Sequence, residues 1–235
     1  MSSSRPLSIN GTEQKIFLVD DHPMLRGGLR HLIHAETAYR VCGEASNASE
    51  AIELIPALRP NLVVMDITLP DRSGLELLKD LQAFCPEIPV LVYSMHDEML
   101  YAERVLRAGG RGYLPKGTDS DQFLKAVEEV LTGSVYLSKR VSRHIVSRMA
   151  MGGRPTTSLG PAILTDRELE IFQLLGQGLN TTQIGEKLHI SPRTVDAHRG
   201  NIRTKLSLPD AAAVIREAVL WVELGRGGLE APELG

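Results

Sequence analysis

An alternation of short apolar segments with amphipathic segments in the first half of the chain most narrows the folds it can adopt. Strands that alternate with helices form a parallel sheet covered on both faces, and right-handed crossovers fix a doubly wound α/β architecture with five strands. The predicted strands are Ile16–Val19, Arg40–Glu44, Leu62–Met65, Pro89–Tyr93 and Gly112–Leu114, and the predicted helices are Met24–His34, Ala48–Leu58, Leu75–Ala83, Glu98–Ala108 and Asp121–Leu131.

A run rich in glycine, proline and hydroxyl side chains, residues 152–161, interrupts this pattern and predicts a flexible linker. Residues 138–151 before it can form another helix, and only helical periodicity follows it. At 235 residues the chain suits two domains. We therefore expect a first domain over 14–132, a linker over 133–162 and an all-α four-helix domain over 163–224.

Capping residues mark the starts of the helices in the second half. A side-chain oxygen before a helix accepts a hydrogen bond from its first turn, and proline is favoured at the first helical position. The predicted caps are Thr165 (with Glu168 completing a capping box), Asn180, Ser191 (followed by Pro192) and Asp210. We expect the last helix to run through about Val222 and the tail from Gly225 to be loose.

Composition excludes several classes of protein. The sequence contains no run of eighteen apolar residues and no signal-peptide pattern at its start, so we expect a cytoplasmic protein without a membrane span. Cys42 and Cys85 lack metal-ligand spacing and predict two buried thiols rather than a disulfide or a zinc site. The net charge of −3 does not by itself suggest a nucleic-acid partner.

Three aspartates follow two of the predicted strands: Asp20 and Asp21 follow the first, and Asp66 follows the third. The carboxyl ends of parallel strands meet at one edge of a doubly wound sheet, where ligands bind, so the carboxylates should converge. Like charges this close require a cation, and oxygen ligands suit Mg²⁺. The sequence therefore predicts a magnesium site, to which Thr68 can add its backbone carbonyl.

Two more groups belong to this edge, since Ser94 closes the fourth predicted strand and Lys116 follows the fifth. A carboxylate can attack phosphorus while Mg²⁺ and a lysine stabilise the phosphoryl oxygens. Asp66 is the best candidate nucleophile because it ends the central strand. A lone aspartate at a strand end is usually a turn former, and a lone loop lysine is usually solvated. The coincidence of five positions at one edge favours phosphoryl transfer.

Residues 184–195 have the pattern of a helix, a short turn and a second helix, as in proteins that place the second helix in the major groove of DNA. This second helix, Pro192–Leu206, has an excess of basic residues, which favours phosphate binding. Its charged residues are Arg193, Arg199, Arg203 and Lys205 against Asp196, and its inward residues should be Val195, Ile202 and Leu206. A solvated helix in a small bundle remains the alternative on charge alone.

Residues 17–23, 64–71, 92–97 and 112–116 resemble the receiver domain of bacterial response regulators, and the likeness covers roughly residues 14–132. The resemblance implies a flavodoxin-like fold in which Asp66 accepts a phosphoryl group from a histidine kinase. By the same resemblance, Asp20, Asp21 and Asp66, with the carbonyl of Thr68, hold Mg²⁺, and Ser94 and Lys116 contact the phosphoryl group.

The resemblance also suggests roles for three flanking residues. Tyr113 matches the switch aromatic of the family, which turns inward when the hydroxyl moves towards the phosphate. Thr68 and His96 match positions that tune how fast the phosphate is lost. For His96, an ordinary exposed histidine at a helix start is the alternative.

Residues 164–178 and 194–206 closely resemble the LuxR-type domain, so the whole chain resembles the NarL/FixJ class of response regulators. Two positions that face DNA in that family depart from its pattern, since Asp196 stands where lysine is common and Gly200 where a larger side chain is. An acid there can accept a hydrogen bond from cytosine N4. The implied DNA-contacting residues are Arg193, Thr194, Asp196, Ala197, His198, Arg199, Asn201, Arg203 and Lys205.

The sequence thus predicts a transcription factor switched by phosphate, with no enzymatic activity beyond its own phosphorylation and dephosphorylation. Its expected partners are a sensor histidine kinase, promoter duplex DNA and a second copy of the chain. Val214, Ala218 and Val222 are candidate pairing positions, with core packing as the alternative. A haloacid-dehalogenase-like phosphatase is a rival from another class, although Thr68 stands where its second aspartate would be. A pseudo-receiver that needs no phosphate is another rival.

Overall fold

The computed structural model describes residues 14–150 and 161–227, and the chain divides into two units between Gly153 and Arg154. The first unit contains a five-stranded parallel sheet with the strand order β2-β1-β3-β4-β5. This order confirms the predicted doubly wound architecture. The strands are β1 (Lys15–Val19), β2 (Arg40–Ala45), β3 (Leu62–Met65), β4 (Val90–Ser94) and β5 (Gly112–Pro115).

Six helices accompany these strands along the chain: α1 (Pro23–Glu36), α2 (Ala48–Leu58), α3 (Gly74–Phe84), α4 (Glu98–Arg107), α5 (Ser120–Leu131) and α6 (Lys139–Ala150). Local signals fix several of their starts. Proline opens α1, and the side chains of Asn47, Ser73, Asp97 and Asp119 accept hydrogen bonds from the first turns of α2 to α5. Short polar side chains therefore mark the starts of α2 to α5.

Both faces of the sheet are buried. On one face Ile16 and Leu18 of β1 pack with Ile33 of α1 and Phe123 of α5. Phe17, between them in sequence, is also fully buried. Successive strand residues point to opposite faces, so continuous apolar strands such as β3 require helices on both sides.

One of the two cysteines departs from prediction. Cys85 is buried at the end of α3, as expected, but Cys42 is only half-buried. Cys42 lies in β2, which is an edge strand of the sheet and is flanked by a single neighbouring strand. The prediction of a second buried thiol was therefore wrong.

The second unit is helical. A short 3₁₀ turn at Pro161–Ile163 precedes α7 (Asp166–Gly176), α8 (Thr181–Leu188), α9 (Pro192–Lys205) and α10 (Ala211–Gly227). The capping box of Thr165 with Glu168 is present, and Asn180 and Ser191 cap α8 and α9 as predicted. Asp210 accepts a hydrogen bond at 2.7 Å from the amide of Ala213 at the start of α10.

The last helix differs from its prediction in its length and in which of its residues face the core. It continues to Gly227, past the expected end at Val222, and residues 228–235 of the expected loose tail lie outside the described chain. Val214 and Ala218 are buried in the core, so they are not partly exposed pairing positions, and Val222 is half-buried. Among the α10 residues up to Glu223, whose exposure is described, the exposed large apolar ones are Ile215 and Leu220.

The inward side of α9 largely follows the prediction. Val195 and Ile202 are fully buried, whereas Leu206 is only half-buried because it caps the helix end. No helix within the described ranges is long and apolar enough to cross a membrane.

Candidate functional site

The carboxyl edge of the sheet gathers the polar residues singled out from the sequence. Asp20 and Asp66 directly follow β1 and β3, which are neighbours in the sheet, and Ser94 ends β4 on the other side of β3. All three side chains are buried, whereas Asp21 is half-buried. Lys116 follows β5 at the same edge.

The ammonium of Lys116 joins two of these carboxylates. Its Nζ lies 2.6 Å from Oδ2 of Asp20 and 2.5 Å from Oδ2 of Asp66. The three side chains are at most 7% exposed. Burial alone would lower the pKa of Lys116, but the charges and hydrogen bonds of Asp66 and Asp20 outweigh it, so the pKa is raised above the ordinary lysine value. The lysine is therefore held protonated between the two acids.

The loop after β3 is held tightly around Asp66. Oδ1 of Asp66 accepts a hydrogen bond at 2.6 Å from the amide of Ile67. A Cβ at Gly74 would collide with the carbonyl oxygen of Asp66, so only glycine fits where α3 begins. Asp71 anchors the loop to α2, because its carboxylate accepts hydrogen bonds from the amides of Ala48 and Ser49 at 2.9 and 2.8 Å.

His22 is a site residue that the sequence analysis missed. Its Nδ1 lies 3.1 Å from Oδ1 of Asp20 and 2.5 Å from Oδ1 of Asp21. One potential ligand atom from each of these three residues lies within 4.8 Å of the others. The sequence signal for His22 was its position directly after Asp20 and Asp21, where the chain turns from β1 into α1.

Thr68, two residues after Asp66, meets His96, two residues after Ser94, with 2.9 Å between Oγ1 of Thr68 and Nε2 of His96. The histidine ring also packs against Tyr101, with ring centroids 4.5 Å apart. The hydroxyl of Tyr113 donates a hydrogen bond at 2.7 Å to the backbone carbonyl of His96, and the Tyr113 side chain is buried. The inward position of Tyr113 thus ties β5 to the loop after β4.

The donor set fits a hard divalent cation. Asp20 and Asp66 converge on one ammonium, and Asp21 adds a third carboxylate beside them. Carboxylate oxygens, with a carbonyl and waters, are the ligands that Mg²⁺ prefers. Three carboxylates against one lysine leave a net negative pocket, which a divalent cation would neutralise.

In the second unit, most of the predicted DNA-contacting residues lie on the surface of α9. The exposed ones are Arg193, Thr194, Asp196, Ala197, Asn201, Arg203 and Lys205, and the half-buried ones are His198 and Arg199. Their exposed side is opposite Val195 and Ile202, which face the core. The helix therefore presents a mainly polar and cationic surface.

Lys205 and Arg199 have charged or polar partners within the domain. Nζ of Lys205 lies 2.6 Å from Oε2 of Glu168, a buried residue of the capping box. Arg199 Nη1 contacts Oδ1 of Asp196 at 3.0 Å and Oγ1 of Thr181 at 3.1 Å. Glu168 and Thr181 could not be deduced from helical spacing, whereas Asp196 lies three residues before Arg199 on the same helix.

Comparison with known proteins supports both halves. The family model described as response regulator receiver domain matches residues 16–128, and that of bacterial regulatory proteins of the luxR family matches residues 162–218. The transcriptional regulatory protein DegU of Brevibacillus brevis is 31% identical over 231 residues, with 92% of this chain and 98% of DegU covered. The chain belongs to the NarL/FixJ class of response regulators. The nitrate/nitrite response regulator NarL of Escherichia coli K12 is 33% identical, with 90% and 95% covered.

Solved structures agree with this assignment to the response regulators. A LuxR-family two-component response regulator from Aurantimonas sp. SI85-9A1 is 33% identical with a TM-score of 0.55, covering 59% of this chain and 99% of its own. RcsB from Salmonella enterica serovar Typhimurium, solved on the promoter rprA with the phosphomimetic BeF3−, has a TM-score of 0.58 at 23% identity, covering 88% and 99%. The RcsB likeness shows the shared fold of receiver and LuxR-type domain.

Proposed function

We propose that Asp66 is the phosphoryl acceptor of this response regulator and that its phosphorylation by a sensor histidine kinase controls promoter binding. The observation that carries the proposal is the bridge of Lys116 between Asp66 and Asp20, with 2.5 and 2.6 Å contacts in a buried pocket. This arrangement sets a cation beside an acceptor oxygen, where the negative charge of an incoming phosphoryl group would develop.

The residues divide the chemistry between them. A carboxylate oxygen of Asp66 forms a bond to phosphorus as the P–N bond of the phosphohistidine breaks, and the imidazole leaves with the bonding electrons. Lys116 and the Ser94 hydroxyl stabilise the transferred oxygens. Asp20, Asp21, Asp66 and the Thr68 carbonyl would hold Mg²⁺, which would offset the charge of the phosphoryl group when bound.

We assign the response of the receiver to Tyr113, Thr68 and His96. Tyr113 is the switch aromatic, and its hydrogen bond to the His96 carbonyl at 2.7 Å fixes it inward. Thr68 and His96, joined at 2.9 Å, cover the approach of water to the acyl phosphate and so set its lifetime. Phosphate shifts the equilibrium only through its differential contacts with the two states.

The output is binding of promoter duplex DNA by α9. DegU is named a transcriptional regulatory protein and NarL a nitrate/nitrite response regulator, and RcsB was solved bound to the promoter rprA. One small domain contacts one half-site, so we propose a homodimer on DNA, acting in the cytoplasm. Residues 133–162 would link a receiver over 14–132 to a DNA-binding domain over 163–224. Within that domain, Asp196 would be the acid that sets sequence specificity.

The test is phosphoryl uptake from acetyl phosphate with Mg²⁺, read by intact-protein mass together with oligomeric mass. We expect wild type and Asp121→Asn, an exposed control at the start of α5, to gain one phosphoryl group and to shift to dimer. Asp66→Asn should do neither. Uptake by Asp66→Asn would refute the assignment of the acceptor. Absence of uptake from every donor would favour a pseudo-receiver, and steady turnover of a phosphate ester would favour a phosphatase.

A further inference from the structure

Helix α6 has a cationic face that the proposed function does not use. Its other side docks on the first unit, where Val141 is buried and Ile145 is half-buried, and α6 packs beside α4. The side chains of Lys139, Arg140 and Arg143 are exposed. At about 100° of rotation per residue, these three fall within about 100° of arc on the side opposite Val141. The helix is therefore anchored by one side and presents a row of cations on the other.

The charge pattern around α6 is unlike that of the rest of the chain. The protein has 29 acidic and 26 basic residues, yet no acid occurs between Glu129 and Asp166. That segment carries Lys139, Arg140, Arg143, Arg148 and Arg154. An ordinary solvated helix face mixes both signs of charge, which limits non-specific binding to polyanions. An acid-free run of this length instead favours an anionic partner.

The three exposed cations are also available for such a partner. In the parts of the chain that the structure describes, none of Lys139, Arg140 and Arg143 forms an ion pair with a carboxylate. Arg143 only donates a hydrogen bond from Nε to the carbonyl of Lys139 at 3.2 Å, within the same helix. Among the described residues, no carboxylate neutralises these three charges.

We propose that this face of α6 contacts the phosphate backbone of duplex DNA next to the half-site bound by α9. The proposal rests on the proposed function, because it adds a second contact to the same DNA. Residues 151–160 join α6 to the second unit, and ten residues span at most about 35 Å. That is about one helical turn of DNA, so the linker length allows the two surfaces to contact phosphates about a turn apart.

The contact would add affinity without sequence specificity, since phosphates carry no base information. Each neutralised phosphate contributes about 0.9 to the slope of log affinity against log salt. Loss of three cations should therefore lower the steepness of that dependence by about 2 to 3 for each bound copy of the chain, and should weaken binding most at low salt.

The experiment measures fluorescence anisotropy of a labelled duplex of mixed sequence, about four helical turns long, against full-length protein over a range of salt. The α6 variant is Lys139→Gln, Arg140→Gln, Arg143→Gln in one chain. The matched control is Lys15→Gln, Arg59→Gln, Arg111→Gln, which removes three exposed cations elsewhere on the first unit. Circular dichroism verifies that both variants are folded.

We expect the control to keep the wild-type salt slope and the α6 variant to lose about 2 to 3 from it for each bound copy of the chain. Equal slopes for the two variants would overturn the α6 contact. Binding of wild type, but not of the α6 variant, to anionic phospholipid vesicles, with unchanged DNA slopes, would assign the face to a membrane instead. A combined Arg193→Ala, Arg203→Ala variant tests the proposed function separately, since undiminished DNA binding by that variant would refute α9 as the DNA-binding helix.

Discussion

Replacing Lys116 with methionine should remove the main electrostatic support of the pocket. The ammonium lies 2.6 Å from Asp20 and 2.5 Å from Asp66, and the side chains of all three are nearly inaccessible. Loss of one partner leaves buried carboxylates uncompensated, which typically costs about 3 to 5 kcal/mol. We expect the free energy of unfolding of the receiver to fall by about this amount near neutral pH.

The loss should depend on pH and on Mg²⁺. In wild type the raised pKa of Lys116 means that its contribution is fully present below the ordinary lysine pKa and is lost as the pH rises through the raised value. The difference between variant and wild type should therefore narrow as the pH rises through that value. It should also narrow when Mg²⁺ is added, because a divalent cation would offset the charges of the carboxylates.

Urea denaturation followed by far-UV circular dichroism measures the effect. The single tryptophan, Trp221, lies in α10, so its fluorescence follows the second unit separately. Lys125→Met is the control, because Lys125 is 66% exposed and 3.8 Å from Glu129. Its effect should stay within about 0.5 kcal/mol. If Lys116→Met unfolds at the same urea concentration as Lys125→Met, the electrostatic account of the pocket is wrong.

Three further changes test other contacts. Gly74→Ala places a Cβ against the carbonyl of Asp66 and should destabilise the receiver by more than about 2 kcal/mol in urea denaturation. Burial alone would raise the pKa of Glu168, but Lys205 and the capping amide of Thr165 lower it. The stabilising contribution of the Glu168 carboxylate is therefore present above the ordinary glutamate pKa and is lost in acid. Glu168→Gln should therefore make the free energy of unfolding of the second unit depend less on pH in the acidic range. Tryptophan fluorescence during denaturation measures this. Asp71→Asn loses the charge that faces the first amides of α2 and should cost about 1 kcal/mol in thermal denaturation.

Each of these has a control or a contrary result. Gly28→Ala lies on α1 in open space and should be neutral or stabilising by up to about 1 kcal/mol. A Gly74→Ala receiver as stable as Gly28→Ala would contradict the steric argument. An unchanged acid profile for Glu168→Gln would show that its contact with Lys205 contributes little. An Asp71→Asn protein that melts at the wild-type temperature would show that the amides of α2 do not need the charge.

Local and periodic features were predictable from the sequence. Strands buried on both faces need continuous apolar runs, so β3 could be identified from Leu62–Met65. Caps act within three residues, so Thr165 and Asn180 marked the starts of α7 and α8. Because parallel strands end at one edge, the meeting of Asp20 with Asp66 followed from their positions after two strands. Their roles in phosphoryl transfer remain proposals.

Contacts between distant segments were decided only by the tertiary structure. The α10 sequence is apolar on more than one side, and packing against α7 determined that Val214 and Ala218 are buried while Leu220 is exposed. The partner of Lys205 is Glu168, 37 residues away, which no helical spacing can indicate. Cys42 is half-buried because the strand order places β2 at an edge. A sequence specifies what each residue can do locally, whereas burial and pairing depend on which surfaces meet once the chain has folded.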